Sequence, residues 1–118
     1  MLRKISIALF LVLIYCQSFS QVYNVKLMSW NLLNYPDATI PNDTGLRNPY
    51  FRDVMQYVFP QIVVTVENTS IASVNSFLNN VLNANGLNQF SAGTFIDGYD
   101  TDNAIYFRNS FFQFISNI

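Results

Sequence analysis

Val25-Lys26-Leu27-Met28-Ser29-Trp30-Asn31-Leu32-Leu33-Asn34 is the stretch whose reading decides the fold. Residues 25–33 carry apolar side chains at both odd and even positions. Such a run reads as a core strand covered on both faces. Tyr35-Pro36-Asp37 ends it, because Pro36 cannot donate to a ladder. The strand carries one amide, Asn31, to its far end. A second apolar run, Ile62–Val66, ends in Glu67, the only glutamate in the chain.

Between the two runs, Ala38–Arg47 holds Pro41, Asn42, Asp43 and Gly45 and reads as loop. Asn48-Pro49 is expected to open a helix, with Asn48 as the N-cap and Pro49 at the first helical position. Phe51, Val54, Met55 and Val58 then form one stripe. Pro60 stops the helix at or before Phe59. Gln61–Val66 is a buried-type strand. Ser70 caps a second helix whose stripe is Ile71, Val74, Leu78, Val81 and Leu82, and Asn85-Gly86 ends it. The remainder reads as three strands, Gln89–Ile96, Ala104–Arg108 and Phe111–Ile115, the last two joined by a hairpin turn at Asn109-Ser110. The order is β-α-β-α-β-β-β, an α/β (α+β) fold. The opening β-α-β unit predicts parallel strands, so Asn31 and Glu67 should emerge at one sheet edge, where open α/β sheets bind ligands.

The chain has 118 residues, the size of one small domain. Residues 1–20 have the layout of a secretory signal peptide. Arg3 and Lys4 form the positive region, Ile5–Tyr15 the apolar core, and Ser18-Phe19-Ser20 the cleavage site. Cleavage near Ser20 leaves residues 21–118 as the domain and predicts a secreted or periplasmic protein with no stable membrane span. An uncleaved anchor is the rival reading, but the apolar core falls short of the roughly 20 residues a span needs. Cys16 is the only cysteine and lies in this leader, so no disulfide can staple the rest.

Residues 21–118 carry four basic side chains, Lys26, Arg47, Arg52 and Arg108, against seven acidic ones. There is no basic patch, so sequence-independent attraction to nucleic acid is weak. The chain has no histidine. That removes the commonest general base, every His-containing zinc site and every His-based triad.

Glu67 follows five strand formers, and a carboxylate there must be solvated, paired or metal-bound. A Mg²⁺ site uses one or two carboxylates with waters and substrate phosphate, and Glu67 with Asn31 suits the protein half of one. The plain alternative is a strand-end glutamate facing water. For Asn31 the alternative is a side chain that caps backbone groups where the strand stops. Trp30 and Met28 read as core. The loop Asp97–Asn103 holds three carboxylates but lacks EF-hand spacing, and Asp-Gly turn chemistry accounts for it better than Ca²⁺ does. Arg108 can meet a phosphate, or lie in solvent beside its turn. Asn42-Asp43-Thr44 and Asn68-Thr69-Ser70 match the glycosylation sequon.

Val25–Asn34 followed by Pro60–Glu67 resembles the opening of the endonuclease/exonuclease/phosphatase (DNase I-like) superfamily, in its secreted bacterial form. Members include nucleases, abasic-site endonucleases and lipid phosphodiesterases. Trp30-Asn31 matches the family's strand ending in Trp/Tyr-Asn. Pro60-Gln61-Ile62-Val63-Val64-Thr65-Val66-Glu67 matches its Pro-Asp-Ile-apolar-apolar-x-Gln-Glu, with Gln61 in place of Asp and Val66 in place of Gln. Asp100–Arg108 looks like the strand after the second helix. The resemblance spans about Val22 to Ile115. It implies the N-terminal half of a four-layer α/β sandwich with mixed sheets. By matching position, Glu67 would be the metal ligand for Mg²⁺ (or Mn²⁺), and Asn31 the catalytic residue that orients phosphate or a partner group. The implied reaction is phosphodiester hydrolysis, with nucleic acid among the candidate substrates. The family's later Asp/Asn pair and histidine have no match here, so the expectation is a partial domain, inactive without a C-terminal half. The rival expectation is a small secreted, non-enzymatic binding or structural α/β domain.

Overall fold

The computed structural model describes residues 22–117. The expected signal peptide, 1–20, and its cleavage near Ser20 lie outside the described residues. Among the described residues no helix is long and apolar enough to cross a membrane.

The fold is α/β: a four-stranded mixed sheet and two helices. The elements are β1 (Leu27–Tyr35), α1 (Asp43–Val58), β2 (Ile62–Asn68), α2 (Ile71–Phe77), β3 (Phe90–Ala92) and β4 (Asp102–Arg108). The spatial order is β1-β2-β4-β3. β1 runs parallel to β2, with Asn31 beside Val66. β4 is antiparallel to both β2 and β3.

Side-chain alternation divides the sheet into two faces. Leu32, Val63, Thr65, Ala104 and Tyr106 point inward and are buried. They meet Phe51 and Met55 of α1 and Val74 and Phe77 of α2. The core is largely aromatic. Phe51 lies 4.9 Å from Trp30, 5.6 Å from Tyr35 and 5.7 Å from Phe77, and Phe77 lies 5.6 Å from Tyr106. Tilted and edge-on rings of this kind add to simple burial. Burial also pushes the Tyr35 and Tyr106 hydroxyls above the ordinary tyrosine range. Tyr35 donates to Asn48 Oδ1 at 2.8 Å and meets Ser76 Oγ at 3.2 Å, so one hydroxyl ties β1 to both helices.

α2 starts as its sequence predicts. Ser70 accepts from Ser73 N, and Ser73 reciprocates in a capping box. The helical path continues through a wider π-type turn, Leu78–Leu82, which turns Val81 and Leu82 inward together. Asn83 then fixes β3: its Oδ1 accepts from Gln89 N and Phe90 N, and its Nδ2 donates to Phe90 O.

Four expectations are corrected. First, β1 is an edge strand, with Leu27 at 61% and Leu33 at 65% exposure, so only its inward face is covered. Second, α1 starts at Asp43, inside the expected loop, and Pro49 sits within it. The Asn48 side chain serves Tyr35 rather than the helix end. Third, β3 is three residues long where eight were expected. Fourth, Phe111–Ile115 forms no strand, and the order is β-α-β-α-β-β. β4 already has β2 on one edge and β3 on the other, so a hairpin partner has no free edge to join. The chain turns back instead, with Phe111 N and Phe112 N both donating to Arg108 O, and lays Phe114 over Phe107.

Candidate functional site

β1 and β2 are parallel neighbours, so their carboxyl ends share one rim. Asn31 and Glu67 meet there. Asn31 Nδ2 donates to Glu67 Oε1 at 2.5 Å, and Asn31 Oδ1 accepts from Leu33 N at 2.8 Å. The two bonds fix the amide's orientation. Asn31 therefore caps backbone and holds the carboxylate at once, so the two readings of that residue describe the same geometry. Glu67 Oε2 has no protein partner among the described residues.

The backbone departs from regular pairing where these side chains sit. The β1/β2 register shifts between Asn31 and Tyr35, and the β2/β4 register shifts between Thr65 and Asn68. Such bulges re-aim side chains at sheet rims. Leu33, Asn34 and Glu67 have φ of 51°, 56° and 62°, the left-handed region. Asparagine tolerates it; leucine and glutamate adopt it against steric preference. Positive φ at Glu67 turns its carboxylate from the inward side of β2 toward Asn31.

Two residues hold this backbone, and sequence reasoning missed both. Arg47 ion-pairs with Asp43 at 3.4 Å, lies over the Tyr35 and Phe51 rings, and donates to Leu32 O and Leu33 O within the β1 bulge. Nothing in its expected loop setting marks that role. Asn68 is fully buried, and its Nδ2 donates to Thr65 O, Thr65 Oγ1 and Asp102 O across the β2 bulge. Its position directly after Glu67 was the available signal. Burial also removes Asn68 as a glycan acceptor in the folded chain.

Beside Asn31 a cleft of 450 Å³ opens along the β1 edge, between Trp30, Leu33, Ile40 and Arg47. The Asp97–Asn103 loop behaves as turn chemistry: Asp102 Oδ2 accepts from Gly98 N at 2.6 Å. Among the described residues no three acidic, histidine or cysteine side chains converge on one point. A closed all-protein metal cage is therefore not what this rim builds. One carboxylate with a free oxygen, beside an oriented amide, fits the hydrated type of Mg²⁺ site completed by waters and substrate oxygens. Arg108 does not lie in solvent. It is buried at the opposite rim, 8% exposed.

No family model, curated relative or solved structure matches the chain.

Proposed function

We propose that the chain is the N-terminal part of an exported, Mg²⁺-dependent phosphodiester hydrolase of the endonuclease/exonuclease/phosphatase type. The observation that carries this reading is the 2.5 Å contact between Asn31 Nδ2 and Glu67 Oε1 on the shared carboxyl rim. Glu67 would hold Mg²⁺ through Oε2, and the bound cation would polarise a phosphoryl oxygen. Asn31 holds the Glu67 carboxylate in place and presents its remaining N–H to the phosphate.

Two further observations support the reading. Left-handed backbone at Leu33 and Glu67 is strain of the kind retained at working sites. The outward sheet face is apolar and only partly covered, by Phe114 over Phe107, with Leu27 61% and Ile105 44% exposed, which suits a second sheet packed against the rest of it. The histidine that the resemblance implies as general base has no counterpart in these 118 residues, which hold no histidine. In this reading the remaining catalytic groups come from sequence outside them, and the chain alone turns over substrate negligibly.

Mn²⁺, as a paramagnetic stand-in, tests the metal assignment without turnover. It should broaden the amide NMR signals around Asn31 and Glu67, and Glu67→Gln should abolish the effect. Broadening centred on residues 97–103, or surviving the substitution, would overturn the assignment and favour a non-enzymatic binding domain.

A further inference from the structure

At the rim opposite Glu67, a cleft is lined by cationic side chains and, among the described residues, by no carboxylate. Arg108 follows Phe107, which pairs with Ile62 at the amino end of β2. Its guanidinium lies 3.8 Å from the Phe59 ring centroid and 4.6 Å from that of Phe90. Nε donates to Pro60 O at 2.9 Å and Nη1 to Gln89 Oε1 at 2.6 Å. Both partners are neutral, and Nη2 has no protein partner among the described residues. Arg52 lines the same cleft and donates to Asn80 O. Lys26 Nζ nearby is bound by Val58 O. The only ion pair among the described residues is Arg47–Asp43, on the other rim.

The cleft has a volume of 170 Å³ and is lined by both arginines, Gln56 and Gln89 among apolar walls, with no carboxylate. A buried charge without an opposite charge is costly, and π faces offset only part of that cost. This chain has more acidic than basic residues, yet it brings none of them here. The Nη2 edge that Arg108 leaves open in this concave site matches a tetrahedral oxyanion. The volume equals about six waters at ~30 Å³ each, room for a phosphate group.

We propose that the Arg52/Arg108 cleft is an anion site separate from the Glu67 rim, binding a phosphate-class oxyanion at the Nη2 edge of Arg108, with Arg52 on the cleft wall. It does not depend on the hydrolase reading. Isothermal titration of the 118-residue chain with inorganic phosphate, against chloride at matched ionic strength, tests it. Saturable binding is expected with phosphate only. Arg52→Gln, at a half-buried position that leaves the core intact, should weaken it about tenfold. Arg108→Lys should weaken it at least as much, since lysine keeps the charge but lacks the planar fork. Glu67→Gln should leave it unchanged. Phenyl phosphate in a parallel arm separates free phosphate from a monoester end as the natural ligand. No saturable heat, acetate binding as tightly as phosphate, undiminished binding in Arg52→Gln, or loss in Glu67→Gln would each overturn the proposal.

Discussion

The two rims of this sheet treat their polar groups in opposite ways. At the carboxyl rim, Asn31 and Glu67 bond to each other, the backbone beneath them is left-handed at three residues, and one carboxylate oxygen has no protein partner among the described residues. At the amino rim, Lys26 and Arg108 donate to main-chain carbonyls, and the Arg108 guanidinium lies against two rings. Phe59 there also has positive φ, but it ends α1, and its N–H closes the helix on Met55 O. That is ordinary helix-end geometry. No helix end accounts for Leu33 and Glu67. Strain explained by a terminus belongs to folding, whereas strain with no terminus beside it is what the proposed site would use to aim a carboxylate.

The comparison breaks hardest at Arg108. Arg108→Ala removes the cation from both rings and leaves Pro60 O and Gln89 Oε1 without their donor. A loss of about 3 kcal/mol is expected in urea unfolding. A loss below about 0.5 kcal/mol would mean that the amino rim is no more structural than an average surface.

Glu67→Gly should move stability the other way. Glycine adopts φ of 62° freely, and the bond lost to Asn31 is exposed. Relief of left-handed strain, less the entropy that glycine adds to the unfolded chain, leaves a gain of about 0.5–1 kcal/mol. A gain in stability together with lost Mn²⁺ broadening identifies a residue kept for a ligand. A drop of similar size would identify Glu67 as a structural strand end and erase the contrast between the rims.

The carboxyl rim was legible because parallel pairing follows from a β-α-β order, and two strand ends fix where Asn31 and Glu67 stand. The cap at Ser70 was legible because its bonds are local. What misled were signals that tertiary structure reuses. Asn48-Pro49 has the chemistry of a helix start, but a buried tyrosine hydroxyl claims Asn48, and the helix begins six residues earlier. Arg108 read as a surface residue because no local pattern shows that Phe59 and Phe90, far apart in sequence, close around it. Phe111–Ile115 has strand composition, but composition does not reveal that both edges of β4 are already taken.

The smallest expected effect lies in acid and again separates the rims. Asp37 follows β1 at the carboxyl rim and accepts from the Thr39 hydroxyl at 2.7 Å and the Thr39 amide at 2.8 Å. The hydroxyl first, then the amide, hold its carboxyl below the usual aspartate range. A carboxyl depressed in the folded state stabilises the protein above its unfolded value, about 3.9, and that contribution disappears as pH falls through the lower folded value. Stability should therefore decline below about pH 4, and Asp37→Asn should flatten that limb by lowering neutral-pH stability slightly, so that the two proteins converge in acid. Arg108 stays charged throughout this range and contributes no such slope. Urea midpoints measured from pH 6 down to pH 3 give the comparison directly. An acid limb unaltered by Asp37→Asn would assign the titration elsewhere and remove Asp37 from the hydrogen-bonded frame of the rim.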